Sequence, residues 1–424
     1  MYKKFALKNG MPVILVPKKD SQSLTILVLF KVGSRYEDIK IHHGVSHFIE
    51  HLMFKGTKKY PTTLDISKTL DGIGAEYNAY TAKDHTGYYI KANAEKLELV
   101  CDVLSEMLNN SLFDADEIEK EKGVIIEEIK MYEDTPIQHA EILFEEQIFS
   151  GNNLGPCIAG TIDSIKNMNR QKIVDYMNSF YEPKNGVIVI SGKIDKKAEK
   201  ILNNYFTQEK KANEMFLQKF EEFKDIQNQK RVLLNYKDTK QVHLALGVPA
   251  YSYSHPDLYA LYVLGAILGG NMSSRLFINV REKRGLCYYI RAQVDVYQDT
   301  GDLMIRAGLD KDKIHEAIEV IIQELKKLKD QGITADELDK AKEFLKGRMI
   351  LQLEELNELA EYFGRQFILT DKLLTPEEKI EKIFAITRED VSRVASNLLK
   401  TEKLNLVMVS PFKDEKEFIN ILNI

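Results

Sequence analysis

Two histidines, His47 and His51, stand four residues apart with Glu50 between them, in the stretch HHGVSHFIEHLMFKGT over residues 42–57. At about 3.6 residues per turn, imidazoles at i and i+4 share one helix face and can reach a single metal ion from the same side. Glu50 falls beside that metal. The order is H-x-x-E-H: two neutral imidazole ligands and a carboxylate able to take a proton from an activated water. The opposite face of the same segment predicts the helix. Val45, Phe48, Ile49, Leu52 and Met53 recur at the i, i+3, i+4 spacing of an element packed on a core. The spacing predicts that this helix stops at Gly56, a residue suited to a left-handed C-terminal position.

A second stretch, DADEIEKEKGVIIEEIKMYEDTP from Asp114, reads as a helix opened by the Asp114/Glu117 capping-box spacing and closed by Pro136. Ile118, Ile125, Ile129 and Tyr132 form its apolar stripe. Glu121 and Glu128, two turns apart, lie along one edge of that stripe, whereas Lys120 and Glu127 point away. Carboxylates at the margin of a buried face need a partner, and a cation or a metal would supply one.

The elements that must position these residues are strands and helices of an α+β fold. Pro12 to Val16 and Leu24 to Val32 read as strands. Thr63 to Leu70 and residues 95–109 read as helices. Ala75 to Thr81 and Thr86 to Ala92 read as a hairpin turning at Lys83 and Asp84. An internal repeat organises the whole. ADEIEKEK from Ala115 matches ADELDKAK from Ala335, IDSIKNMNRQKIV from Ile162 matches IEKIFAITREDV from Ile380, and Thr86 of HTGYYIKA matches Thr300 of DTGDLMIRA. Three blocks in similar register predict two copies of one α+β unit, over 1–205 and 230–424, with a charged linker over 206–229 that could be partly helical. In the second copy Ala341 stands at the place of Glu121 and Arg348 at that of Glu128, and no H-x-x-E-H recurs. Only the first copy keeps the candidate metal residues.

Composition narrows the class. The 424 residues carry a formal net charge of −5 with both signs interspersed, which gives no electrostatic reason to expect nucleic acid. Lys210 and Lys211 read as solvated surface. Cys101, Cys157 and Cys287 are odd in number and far apart, which argues against a disulfide framework and for a reducing compartment. The opening apolar run, MPVILV, is short and meets Pro17, Lys18 and Lys19 at once, so neither a signal peptide nor a membrane span is expected. The expectation is a soluble, cytoplasmic protein.

Five segments carry a resemblance: GSRYED, HFIEHLMFKGT, GAEYNAYTAKDHTGYY, EKGVIIEE and MSSRLFINVREKRGLCYY. With them the chain resembles the pitrilysin/insulysin family of inverted-motif zinc peptidases, in the subfamily of the mitochondrial processing peptidase β subunit. The resemblance implies a processing-peptidase-like fold, two homologous units each with a mostly antiparallel sheet and helices packed on one face. It implies His47, His51 and Glu128 as ligands of one Zn2+ per chain, Glu50 as general base and Glu121 as a supporting acid. An N,N,O ligand set could also hold manganese or cobalt. The resemblance further implies Asn78 and Ala79 as edge-strand residues that pair with a peptide backbone, and Arg281 with Tyr288 as donors to the substrate carbonyl.

The activity so implied is endopeptidase cleavage of unfolded or extended peptides, in a homodimeric chamber where the first half of one chain faces the second half of the other. A non-catalytic peptide-holding or structural subunit of the same family is the alternative, and a metal hydrolase of another substrate class is a third reading. The chain departs from the family at GNNLGP, where Asn153 replaces a usual His, and it lacks the glycine-rich loop of the processing peptidase α subunit.

Overall fold

The computed structural model describes residues 2–207 and 220–424. Most of the expected linker, residues 208–219, lies outside the described residues. In the first half the strands are β1 (Lys3–Ala6), β2 (Pro12–Pro17), β3 (Ser23–Phe30), β4 (Glu76–Thr81), β5 (Thr86–Asn93) and β6 (Gly186–Gly192). The helices are α1 (Ile39–His42), α2 (Val45–Leu52), α3 (Thr63–Asp71), α4 (Leu97–Asn110), α5 (Ala115–Asp134), α6 (Pro136–Ile148), α7 (Ile162–Lys166), α8 (Arg170–Phe180) and α9 (Ala198–Tyr205). The second half contributes β7 (Arg231–Tyr236), β8 (Gln241–Ala250), β9 (Cys287–Val296), β10 (Gly301–Asp310) and β11 (Asn405–Ser410). Its helices are α10 (Leu258–Gly269), α11 (Ile314–Gln331), α12 (Ala335–Gln352), α13 (Leu356–Thr370), α14 (Pro376–Phe384), α15 (Arg388–Leu398) and α16 (Lys416–Ile419).

The repeat is visible strand for strand. One sheet runs β1-β2-β6-β3-β5-β4 and the other β7-β11-β8-β10-β9. Setting β1 aside, the orders coincide, and in each the first two of these strands pair in parallel while the rest are antiparallel. Central strands such as β3, SLTILVLF, are buried along nearly their whole length. That explains their continuous apolar runs, in place of the polar-apolar alternation of a half-wet strand. β4 and β9 are sheet edges.

The compact units do not follow the expected boundaries. One comprises residues 1–129, 157–221 and 350–375, the other 130–156, 222–349 and 376–424. Each copy gives a helix to the core of the other. α6 packs on β8 and β11, with Phe144 and Ile148 against Ala245, Met304 and Val407. α13 packs on β3 and β6, and it comes so close that a Cβ on Gly364 would lie 2.3 Å from Leu29 Cδ1. An apolar helix face declares that it must be covered but not by which sheet.

Local expectations are met with small shifts. The metal-motif segment is broken at Gly44, which takes φ 87, so that α1 and α2 are separate. α2 ends at Leu52 rather than at Gly56, which instead lies beyond the helix at φ 133, where a Cβ would sit 2.3 Å from the Pro61 carbonyl oxygen. Asp114 accepts from the amides of Asp116 and Glu117 and so opens α5, while Pro136 begins α6 rather than only ending α5. β1 was not anticipated, because KKFA offers little alternation.

Candidate metal centre

The first turn of α2 is held by a residue upstream of it. Glu37, 1% exposed, accepts the Gly44 amide on Oε2 at 2.7 Å and the Ser46 amide on Oε1 at 2.9 Å. A carboxyl group on the free N–H groups of a first turn satisfies otherwise orphaned donors. Burial pushes the Glu37 carboxyl up to about 8, although those same two amides pull against it. The rest of GSRYED docks on the β4–β5 turn. Ser34 and Arg35 donate their amides to the carbonyls of Ala82 and Lys83, and the buried Arg35 guanidinium meets Asp84 at 2.9 Å. Gly33 is required there, since a Cβ would lie 2.1 Å from the Ala82 carbonyl oxygen. This block therefore ties α2 to the hairpin that carries Asn78 and Ala79.

On the opposite side α5 presents Ile118, Ile125 and Ile129 to the core and brings Glu121 and Glu128 to α2. His47 Nε2 and His51 Nε2 are 3.2 Å apart. Glu128 Oε2 lies 3.6 Å from the first and 3.4 Å from the second. With bonds of about 2.0–2.1 Å, the edges of a tetrahedron of zinc ligands measure about 3.3–3.4 Å. The three atoms thus stand at the spacing of three corners of such a site. Among the described residues no other group of three His, Cys, Asp or Glu side chains brings its ligand atoms within 4.8 Å of one another. Two nitrogens and one carboxylate oxygen are also a donor set that zinc accepts.

Glu121 stands behind His51. It is 3% exposed, its Oε1 accepts from His51 Nδ1 at 2.8 Å, and its Oε2 takes the Lys55 ammonium at 2.6 Å. The contact assigns the proton to Nδ1 and leaves Nε2 as the ligand atom, the usual outer support of a metal-bound histidine. Burial would raise Glu121, but His51 and Lys55 outweigh it and hold the carboxyl below its ordinary range. Burial, then the neighbouring His51, lowers His47 to about 4, so it is neutral and ready to ligate. Burial also acts to lower His51, but Glu121 and Glu128 overcome it and lift the imidazole to about 9. In the absence of a cation the cluster therefore keeps a proton, which metal binding would release.

Glu50 sits on the same turn. Its Oε2 accepts from Thr81 Oγ1 at 2.6 Å. Burial raises its pKa, against the pull of Thr81. On β4, Asn78 is exposed and Ala79 is 6% exposed, and Asn78 Oδ1 accepts the Ala79 amide at 2.9 Å. In the second unit a short π-helix, Phe277–Glu282, carries Arg281 to 5.9 Å from the ring of Tyr288 at the start of β9. Tyr288 is 75% exposed, which removes a core role and leaves its hydroxyl accessible. Sequence reading did not single out Glu37, Lys55 or Thr81. Lys55 carried a usable signal, being one turn beyond His51, whereas the partners of Glu37 and Thr81 are fixed only by the fold.

All three cysteines are free, and among the described residues no helix is long and apolar enough to cross a membrane.

Comparison with known proteins agrees with this geometry. Residues 13–162 match a family model described as insulinase (peptidase family M16), and residues 167–345 match one described as the peptidase M16 inactive domain. The chain is 36% identical to an uncharacterised zinc protease, YmxG, of Bacillus subtilis, over 97% of this chain and 98% of that one. It is 31% identical to an uncharacterised zinc protease of Streptomyces coelicolor, over 97% and 90%. A solved protease from Helicobacter pylori superposes with a TM-score of 0.90 at 26% identity, covering 97% of this chain and 99% of that chain.

Proposed function

The chain belongs to peptidase family M16, and from that premise we propose that it is a zinc-dependent endopeptidase acting on unfolded or extended polypeptides. The observation that carries the proposal is the spacing of His47 Nε2, His51 Nε2 and Glu128 Oε2, 3.2 to 3.6 Å, with Glu50 on the adjoining turn. His47, His51 and Glu128 would hold the ion and leave a fourth position open. A zinc ion so bound supplies Lewis acidity, lowering the pKa of a water and polarising the scissile carbonyl.

The chain's own groups do the rest. Glu121 keeps the His51 proton on Nδ1. Glu50 takes a proton from the attacking water and later delivers it to the leaving amine, a transfer that needs a carboxylate within hydrogen-bond reach of both. β4 is a sheet edge, and a peptide added to it would be read through its main chain. That favours segments with no structure of their own. Arg281 and Tyr288 are good donors to a carbonyl oxygen gaining negative charge. We assign them to the partner's metal site in a homodimer, the first half of one chain facing the second half of the other around a chamber.

The test is a panel of internally quenched, unfolded peptides. Cleavage that a chelator abolishes and one equivalent of Zn2+ restores is the expected result. Protein carrying one metal per chain that cuts none of them, but holds them, would replace this reading with that of a peptide-holding subunit.

A further inference from the structure

The β4 edge is not a uniform row of free amides. Ala82 N–H donates to the His85 carbonyl at 2.8 Å, and the β4–β5 register runs from there without a shift. In an antiparallel ladder, inward-bonded residues alternate with outward-facing ones, so Thr81, Ala79 and Tyr77 turn their amides to the open side. The Ala79 amide is engaged by Asn78 Oδ1, a side chain that can swing away. The Thr81 side chain is engaged differently: its hydroxyl donates to Glu50 Oε2 at 2.6 Å. The Ser46 carbonyl, at 3.5 Å from the same hydroxyl, is too distant to compete.

We propose that Thr81 is a positioning residue that clamps one oxygen of Glu50. With Oε2 held by Thr81, the carboxylate cannot rotate freely, and Oε1 is the oxygen presented for proton transfer. Thr81 thus sets the orientation of the base, where small misplacements are expensive in rate. The inference rests on the endopeptidase reading above.

Thr81→Val keeps the branched β-carbon and the backbone amide and removes only the hydroxyl. In zinc-loaded full-length chain we expect kcat to fall roughly 10–100-fold. Metal content, KM, and the affinity of metal-free protein for a fluorescent peptide, read by anisotropy, should stay within about two-fold. Thr81→Ser should recover most of the rate. Thr81→Val added to Glu50→Gln should cost nothing further, since Thr81 acts through Glu50. The proposal is overturned if Thr81→Val keeps the wild-type kcat, if Thr81→Ser is as slow as Thr81→Val, or if the double variant is slower than Glu50→Gln. A Glu50→Gln chain as active as wild type would overturn the endopeptidase mechanism itself, a result distinguishable from all three.

Discussion

At the scale of single residues, the division of labour between the two glutamates of α5 is the sharpest feature. Glu128 turns its oxygen toward the Nε2 atoms of both imidazoles, and Glu121 stands behind His51, holding its Nδ1 and the Lys55 ammonium. Glu121→Gln keeps the shape but loses the charge behind His51, so zinc affinity should fall by roughly 10–100-fold, measured by competition with a chromophoric chelator. An unchanged affinity would remove Glu121 from the account. A different buried acid gives a pH prediction. Asp302 on β10, 2% exposed, has no partner for Oδ1 among the described residues and stands opposite Asp295 of β9. Burial, then the charges of Asp295 and Glu145, push its pKa well above the ordinary 3.8. A carboxyl raised in the folded state contributes stability that is complete below its unfolded pKa and is lost as pH rises toward the folded value. Asp302→Asn should therefore match wild type near pH 4 and exceed it increasingly above, by up to about 1.4 kcal/mol per pH unit. Urea unfolding at pH 5 and pH 8 checks this, and a difference that does not grow with pH contradicts it.

At the scale of elements, α2 is useful only because its N-terminal end and one flank are fixed. Glu37 holds the first-turn amides, GSRYED pins the segment to the hairpin, and α5 supplies the flank. Glu37→Ala leaves the Gly44 and Ser46 amides unsatisfied in a dry site, so urea unfolding should show a loss of about 1–3 kcal/mol, with weaker zinc binding alongside. No change in either would mean that the cap is redundant. The assignment of Glu128 as ligand and Glu121 as support came from the family resemblance, but the shared faces were legible in sequence because a helix converts spacing into direction: His47 and His51 at i, i+4, and Glu121 and Glu128 two turns apart, need no tertiary information. Glu37 and Thr81 were not, because their partners depend on where a loop and a hairpin dock. The helix break at Gly44 was hidden for a related reason. Apolar periodicity reports which residues face a core, and it says little about where a single glycine interrupts the backbone.

At the scale of the whole molecule, the duplication predicted from three short matches is borne out by two sheets of the same strand order. The exchange of α6 and α13 between the copies was not legible, since the choice of sheet is made by complementary packing, Gly364 over Leu29 in one unit and Phe144 with Met304 and Val407 in the other. The duplication also bears on assembly. If each active centre is shared between chains, mixing Glu50→Gln with Arg281→Ala protein under conditions of subunit exchange should restore part of the lost activity, through dimers with one sound site. Absence of recovery in mixtures shown to exchange would contradict a shared site. Whether His47, His51 and Glu128 hold one zinc while Glu50 moves the proton is tested by a paired measurement on one variant. Bound zinc and peptide cleavage are measured together in Glu50→Gln. One zinc per chain is expected, as in wild type, with cleavage reduced at least about a hundred-fold. Cleavage at the wild-type rate with zinc still bound would rule out Glu50 as the base.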